Sequence, residues 1–178
     1  MSRDRRCLST SRHDHHVDGC TCRPTAVIVD VDGTLCDVRD ALHLLPNLDR
    51  FHEATRTCPP TAHVIEWCEQ QVAAGHQLVI VTARMYRHET LTREWLGEHL
   101  AHLPYIGPLM RGDTDRRGDD EVKREILRII SDDYGLDVVA AIDDRPRVIR
   151  LWQSLGIPVE VVYRPDWEAA GESYDGLL

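Results

Sequence analysis

Short apolar runs alternate along the chain with stretches in which apolar residues recur at helical spacing. The runs are rich in β-branched residues, which is typical of buried strands in a parallel sheet; they cover residues 26–29, 78–81, 138–142 and 159–163. The helical patterns cover residues 64–72, 88–102, 120–131 and 146–154. Strands that alternate with helices form βαβ units, so the pattern predicts an α/β fold with three layers and a mainly parallel sheet.

Two segments fall outside this alternation. Residues 1–24 show no apolar periodicity and are rich in Arg, His, Ser and Cys. We predict that they form an N-terminal tail or small appendage, and that residues 25–178 form one domain. Within residues 36–63, a small helical flap over the functional site is predicted from the apolar and aromatic side chains of His43, Leu44, Leu45, Leu48 and Phe51.

The composition limits the partners and the compartment. The net charge is -9, which argues against broad nucleic-acid binding and leaves any polyanion to be met by local arginine clusters. No apolar run approaches the roughly 20 residues that cross a bilayer, and the N-terminus lacks the apolar core of a signal peptide. We therefore expect a cytoplasmic protein without a membrane partner; the oligomeric state is not predicted.

Polar residues end three of the predicted strands. Asp30 follows the first strand, Thr82 ends the second, and Asp143 and Asp144 follow the third. Ligands of open parallel sheets bind at the carboxyl ends of the strands. We expect these side chains to converge on one site suited to phosphate chemistry.

The segment Asp30-Val31-Asp32-Gly33-Thr34-Leu35 offers two carboxylates with separate tasks. Asp30 can attack phosphorus and form an aspartyl-phosphate, and Asp32 can protonate the leaving oxygen and then activate water. Gly33 lets the chain turn sharply away from the strand. The alternative is a strand that ends in a common Asp-Gly turn.

The second strand continues into Thr82-Ala83-Arg84. The Thr82 hydroxyl can donate to a phosphoryl oxygen with help from nearby backbone N–H groups, such as that of Ala83. Arg84 can contact phosphate or substrate through its forked guanidinium. Threonine often ends strands for structural reasons alone, so this segment is a weaker indication than the first.

Lys123 is the single lysine among 21 basic Lys and Arg side chains. It lies in the first turn of a predicted helix, where the helix dipole favours acids. A compact ammonium that fits beside carboxylates and a phosphate is not readily replaced by a guanidinium, which predicts a functional role. The alternative is a solvated surface residue.

The adjacent acids Asp143 and Asp144 follow a buried apolar strand, where charges are costly unless they bind a cation. Together with Asp30 they can hold Mg²⁺, which prefers oxygen ligands and would polarise the phosphoryl group. The alternative is that they cap the helix that follows.

Taken in order, these four segments resemble the four motifs of the haloacid dehalogenase (HAD) phosphohydrolase superfamily over residues 25–165. The resemblance implies a Rossmann-like fold and a magnesium-dependent phosphatase. It implies that Asp30 is the nucleophile and Asp32 the acid/base and a metal ligand through its carbonyl group. It places the threonine and lysine motifs on Thr82 and Lys123, and the metal-binding acids on Asp143 and Asp144.

A narrower resemblance lies in Gly112-Asp113-Thr114, in residues 119–126 and in residues 141–145, which look like the 3′-phosphatase domain of bacteriophage polynucleotide kinase–phosphatase. It implies that Arg84 and Arg111 contact phosphate. Gly33 and Ala83, which lie in the first and second motifs, are further candidates for contact with the substrate. The sequence has no Gly-x-x-x-x-Gly-Lys-Ser/Thr loop, which argues against ATP-dependent kinase activity in this chain.

The gaps between the motifs leave no room for a large cap domain, so an open site is predicted that admits the end of a polymer. The basic residues expected to line its approach are Arg84, Arg87, Arg111, Arg116 and Arg117, unless they form a solvated face with the interleaved acids. Tyr86 is the candidate platform for stacking a base.

The leading function is removal of a 3′-phosphate from a DNA or RNA end. The alternatives are a nucleotidase or other small-molecule phosphatase, and a non-catalytic binding protein.

The N-terminal tail offers candidate ligands for a second metal site. Thiolates and imidazoles are zinc ligands, and six candidates lie close together there: Cys7, His13, His15, His16, Cys20 and Cys22. The Cys20-x-Cys22 spacing is tighter than that of usual zinc motifs. A tail without metal is therefore the favoured prediction.

Overall fold

The computed structural model describes residues 23–177. Its centre is one five-stranded sheet in which all neighbouring strands are parallel. The strands are β1 (Thr25–Val29), β2 (Gln77–Met85), β3 (Tyr105–Arg111), β4 (Asp137–Asp143) and β5 (Val159–Val161). The predicted α/β class and the parallel sheet are confirmed.

The helices pack on both faces of this sheet. They are α1 (Leu48–Ala54), α2 (Ala62–Ala73), α3 (Glu89–His99), α4 (Asp119–Asp132), α5 (Pro146–Ser154) and α6 (Pro165–Ala169), with short 3₁₀ turns at Arg39–Leu44, Thr55–Thr57 and Tyr86–His88. Alternate residues of β1 face opposite sides, as the pleat requires. Val27 and Val29 pack with α2 and α3, whereas Ala26 and Ile28 pack with α4 and α5.

In the strand order β3-β2-β1-β4-β5, the direction in which successive strands are added to the sheet reverses beside β1. The chain moves outward from β1 to β3, then crosses back to β4 on the other side of β1. Such a switch point opens a crevice at the carboxyl ends of the strands. The residues that follow β1 and β4 therefore border this crevice.

The elements differ from the prediction at the edges of the sheet. Strand β3 was not predicted, because Gly107-Pro108 in its middle is typical of a turn; proline is tolerated here because β3 is an edge strand. Strand β5 is shorter than residues 159–163. Helix α4 begins one residue earlier than the predicted 120–131, after Gly118, whose N–H donates to the Glu121 carboxylate.

The connections that could carry a lid hold only short helices. Between β1 and β2 the chain forms the 3₁₀ turn at Arg39–Leu44 followed by α1, which we call the flap, and then α2. Within residues 23–177 neither this connection nor the one from β2 to β3 contains a cap domain. That part of the chain also has no helix whose length and apolar character would let it span a bilayer.

Two neighbouring isoleucines of α4 allow a direct test of the helix–sheet packing. Ile130 is fully buried and Ile129 is 36% exposed. We expect Ile130→Ala to lower the free energy of unfolding by about 2–5 kcal/mol, because it leaves a cavity. Ile129→Ala is the matched control and should change it by less than about 0.5 kcal/mol. Equal losses for the two variants in denaturant unfolding would contradict this packing.

Candidate functional site

Three of the residues predicted to act together meet at the switch point. The Nζ of Lys123, the fifth residue of α4, lies 2.6 Å from Oδ1 of Asp30 and 2.7 Å from Oδ2 of Asp143. All three side chains are buried. One ammonium therefore joins the carboxyl ends of β1 and β4. The two acids that it contacts, Asp30 and Asp143, lie 113 positions apart in the sequence.

Asp144 is held beside this group by polar contacts from three parts of the chain. Its Oδ1 accepts a hydrogen bond from the Thr34 hydroxyl at 3.1 Å, and its Oδ2 accepts one from the Trp167 indole N–H at 2.7 Å. The Tyr174 hydroxyl donates to its backbone carbonyl. These contacts fix Asp144 so that one oxygen from each of Asp30, Asp143 and Asp144 lies within 4.8 Å of the other two.

Gly33 is required by this arrangement for a steric reason. Its φ is +86°, and a Cβ at this position would lie 2.2 Å from Oδ2 of Asp144. The residue is buried, and its N–H donates to the carbonyl of Cys36 at 2.9 Å. Gly33 therefore lies directly against the Asp144 carboxylate, and its N–H is already bonded within the turn.

Asp32 and Arg84 form a two-pronged ion pair. The Nε and Nη2 of Arg84 lie 2.8 and 2.6 Å from the two carboxylate oxygens of Asp32, and Nη1 donates to the Thr92 hydroxyl at 3.1 Å. Arg84 is 1% exposed. The guanidinium predicted to contact substrate thus contacts Asp32 in this structure.

Thr82, Ala83 and Arg111 also lie at the edge of the cavity. Thr82 is buried, and its hydroxyl accepts from the N–H of Arg84 at 3.2 Å. The Nε of Arg111 donates to the carbonyl of Ala83 at 3.0 Å, and its terminal nitrogens bond to the carbonyl of Arg117 and to the carboxylate of Asp119. Arg111 therefore links the end of β2 to the loop before α4 and to the start of that helix.

The buried charges shift one another's protonation. Burial and the nearby Asp143 carboxylate, opposed by Lys123, raise the pKa of Asp30 to about 7. Burial and the charges of Asp30 and Asp143 hold the pKa of Asp144 well above its usual value. Burial would lower the pKa of Lys123, but Asp143 and Asp30 outweigh it and raise the pKa.

Asp32 differs from the other carboxylates in this respect. Burial would raise its pKa, but the charge of Arg84 and its hydrogen bonds lower the pKa below the usual value. Asp32 is therefore ionised near neutral pH in this arrangement. Asp30 and Asp143 contact the Lys123 ammonium, whereas the Asp32 carboxylate is paired with a guanidinium.

The three converging acids suit a divalent cation. Asp30, Asp143 and Asp144 present oxygen ligands within a few ångströms, and only one ammonium, that of Lys123, contacts them within residues 23–177. A hard cation with oxygen preference would balance the remaining negative charge and lower the raised pKa values. The donor set and the charge therefore both fit a metal site.

A cavity of about 610 Å³ gives access to this cluster. Asp30, Asp32, Lys123, Asp143 and Asp144 line it, as do Thr82 and Ala83. The flap contributes an apolar part of the lining, made by Leu42, Leu45, Leu48 and Phe51 together with Val38. The volume lies in the range of about 300–1,000 Å³ that is usual for ligand pockets, and is far more than a phosphoryl group needs.

Sequence reasoning missed several residues that shape the site. Thr34 and Trp167 orient Asp144, and Arg145 stacks on the Trp167 ring at 4.5 Å. His52 is buried on the flap, lines the cavity and has its pKa lowered by burial to about 4. Thr34 and Arg145 were signalled by their places in the first and fourth motifs, whereas Trp167 and His52 lie in segments without a recognisable pattern.

Other predicted residues lie elsewhere. Tyr86, the candidate stacking platform, is 58% exposed and is not part of the cavity wall. Arg87 pairs with Asp49 of the flap at 2.7 Å. The six candidate zinc ligands, at positions 7, 13, 15, 16, 20 and 22, lie outside the described residues, so the tail stays a prediction and the zinc site its alternative.

Comparison with known sequences shows a match over most of the described chain. The model of the polynucleotide kinase PNKP phosphatase domain family matches residues 24–167. A protein of Autographa californica nuclear polyhedrosis virus, named for polynucleotide kinase and RNA ligase activities, is 31% identical over 140 residues. That match covers 76% of this chain and 19% of the viral protein, so the chain spans about a fifth of the length of this relative.

Solved structures show the same fold. A chain of the Pnkp1/Rnl/Hen1 RNA repair complex superposes with a TM-score of 0.66 at 23% identity, covering 90% of this chain and 47% of that chain. The class C acid phosphatase from Bacillus anthracis superposes with a TM-score of 0.62 at 16% identity, covering 85% of this chain and 72% of the phosphatase. At these identities the likeness concerns the fold.

The steric role of Gly33 can be tested with a control of the same backbone conformation. Gly75 has φ +90° and nothing within 4 Å of an added Cβ. Both Gly→Ala changes add left-handed strain of about 1–2 kcal/mol, but only Gly33→Ala pushes Asp144 away from the other acids. We expect Gly33→Ala to lower phosphatase kcat/KM by about a hundredfold or more, and Gly75→Ala to leave it within about threefold. Similar activity of the two variants would contradict this role.

Proposed function

The chain belongs to the family of polynucleotide kinase PNKP phosphatase domains and is a phosphatase of the HAD type, and on that premise we propose that it removes the 3′-phosphate from a polynucleotide end. The observation that carries the proposal is the contact of Lys123 with both Asp30 and Asp143 beside Asp144. This arrangement gives a buried carboxylate that can attack phosphorus next to a site for a cation.

The proposed reaction has two steps on the same carboxylate. In the first, the Asp30 carboxylate attacks phosphorus, the bond between phosphorus and the 3′-oxygen breaks, and Asp32 gives its proton to that oxygen. In the second, Asp32 takes a proton from water, whose oxygen attacks the aspartyl-phosphate. Inorganic phosphate leaves and the Asp30 carboxylate is regenerated.

The Asp32–Arg84 pair constrains the first step. A general acid must carry a proton, whereas the guanidinium of Arg84 keeps Asp32 ionised in this structure. We infer that the incoming phosphate draws Arg84 away from Asp32, so that the pKa of Asp32 rises when substrate is bound. The same guanidinium would then contact a phosphoryl oxygen, in keeping with the role that the sequence predicted.

Mg²⁺ is the proposed cation, held by Asp30, Asp143 and Asp144 together with the backbone carbonyl of Asp32. Bound there, it would shield the like charges of carboxylate and phosphate and polarise the phosphoryl group. Lys123 keeps Asp30 and Asp143 in place, and Thr34 and Trp167 keep Asp144 in place.

The polynucleotide substrate is supported by the family and by the open cavity. The family model is that of a phosphatase domain of polynucleotide kinase, and the described chain has no cap domain that would enclose a small molecule. The cavity of about 610 Å³ has room for a nucleotide beyond the phosphoryl group. A cytoplasmic location remains an expectation from the sequence.

A substrate panel tests the proposed activity. With Mg²⁺, we expect hydrolysis of a 3′-phosphorylated oligonucleotide with kcat/KM above that of nucleoside monophosphates, and loss of activity with a chelator. A preference of more than about tenfold for the mononucleotides, equivalent to 1.4 kcal/mol, would favour a small-molecule phosphatase of the same fold.

Substitution of the nucleophile separates an enzyme from a binding protein. Asp30→Asn removes the attacking carboxylate and should lower kcat by about a thousandfold or more. Asp40→Asn, an exposed acid outside the cavity wall, is the control and should retain activity. Undiminished turnover by Asp30→Asn would contradict the mechanism, and unchanged biological activity in that variant would favour a non-catalytic binding role.

The raised pKa of Asp30 predicts that Mg²⁺ binding depends on pH. A carboxylic acid with a pKa of about 7 is largely protonated at pH 6, so the cation must displace the proton; above pH 7 the carboxylate is already charged. We expect Mg²⁺ affinity to rise with pH over the range in which Asp30 and Asp144 lose their protons, by up to about tenfold per pH unit for each proton that the cation displaces. Calorimetric titrations at pH 6, 7 and 8 measure this, and equal affinities at the three values would contradict it.

A further inference from the structure

Six arginines line the cavity, and five of them have a carboxylate partner. The lining arginines are Arg84, Arg111, Arg116, Arg117, Arg145 and Arg164. All except Arg116 form ion pairs. Arg116 is exposed and has no ion pair with any acid among residues 23–177; its guanidinium has a polar contact with Sδ of Met85 at 4.0 Å.

The acids nearest in sequence to Arg116 are already engaged. Asp115 binds the guanidinium of Arg117 at 2.6 Å, and Arg117 also pairs with Glu125. Asp113 accepts a hydrogen bond from the backbone N–H of Arg87 at 2.8 Å. The charge of Arg116 therefore stays uncompensated at the cavity, in a protein whose net charge is -9.

We propose that Arg116 binds the phosphodiester next to the terminal 3′-phosphate, and that it thereby selects a polynucleotide end over a mononucleotide. This inference rests on the proposed function and names the residue that recognises the polymer. A guanidinium presents a fork of donors that matches the two free oxygens of a phosphodiester. A nucleoside monophosphate has no such group and gains nothing from this contact.

The rest of the cavity has room for the nucleoside that separates the two phosphates. Its apolar wall on the flap, formed by Leu42, Leu45, Leu48 and Phe51, offers a surface for a sugar and base without reading base identity. Leu45 and Leu48 are 44% and 42% exposed, so burying them against a nucleoside would be favourable. The terminal phosphate would then lie at Asp30 and the next phosphate at Arg116.

Two substrates that differ in a single charge provide the test. Both are 3′-phosphorylated dinucleotides; one has the natural phosphodiester between its nucleosides, and the other has a neutral methylphosphonate in that place. The measured quantity is the ratio of their kcat/KM values. We expect the wild-type ratio to be about tenfold, the discrimination that a charge-assisted contact of about 1.4 kcal/mol provides.

The variants are Arg116→Gln and, as a control with the same change of charge, Arg124→Gln. Arg124 is exposed, has no ion pair among the described residues and does not line the cavity. Arg116→Gln should bring the ratio close to one, whereas Arg124→Gln should keep the wild-type ratio. A ratio is insensitive to the fraction of folded enzyme, so partial misfolding of a variant does not obscure the result.

The salt dependence of cleavage gives a second readout on a longer 3′-phosphorylated oligonucleotide. Affinity for a strand falls as salt rises, so this slope is negative. Loss of one phosphate contact on a single strand should make the slope of log kcat/KM against log salt less negative by about 0.7 in Arg116→Gln. A wild-type ratio near one, or a ratio in Arg116→Gln equal to that of the wild type, overturns the assignment of Arg116 while the phosphatase activity stands. Failure of the wild-type enzyme to cleave any 3′-phosphorylated oligonucleotide overturns the proposed function itself.

Discussion

The buried ammonium of Lys123 is the contact on which the rest of the site depends. Two carboxylates at the ends of adjacent strands, Asp30 and Asp143, repel each other because both are largely buried, and Lys123 lies within 2.7 Å of both. Removing one partner of a buried ion group leaves an uncompensated charge and costs about 3–5 kcal/mol. The strand ends are therefore held together by the same charge that orients the nucleophile. Asp144, brought to the same point by Thr34 and Trp167, leaves an excess of negative charge that suits a divalent cation.

Most of the arginines around the cavity are used to hold the protein together. Arg84 is tied to Asp32, and Arg111 links the carbonyl groups of Ala83 and Arg117 to the carboxylate of Asp119. Guanidinium groups are suited to this because a fixed fork can satisfy several acceptors at once. A count of basic residues near the site would therefore overstate how much positive charge is free to meet a phosphorylated strand.

The sequence predicted the centre of the fold better than its periphery. Strands β1 and β4 were recognisable because both faces are buried, which yields continuous apolar runs that end in acids. Strand β3 was missed because Gly107-Pro108 imitates a turn, and an edge strand tolerates proline. The same contrast holds in the site: Lys123 was predicted from its rarity in the composition. Trp167 and His52 were not, because their contacts depend on how α6 and the flap pack onto the sheet.

The composition has a consequence for how this protein can be modified after synthesis. Lys123 is the only lysine in the sequence and is 2% exposed, held between two carboxylates. Enzymes that attach acetyl groups or ubiquitin to lysine need an accessible side-chain amine, and the folded domain offers none. Its basic surface is made of guanidinium groups, which keep their charge at any physiological pH. The arginine charges of this chain are thus fixed once it has folded and lie beyond lysine-directed signalling.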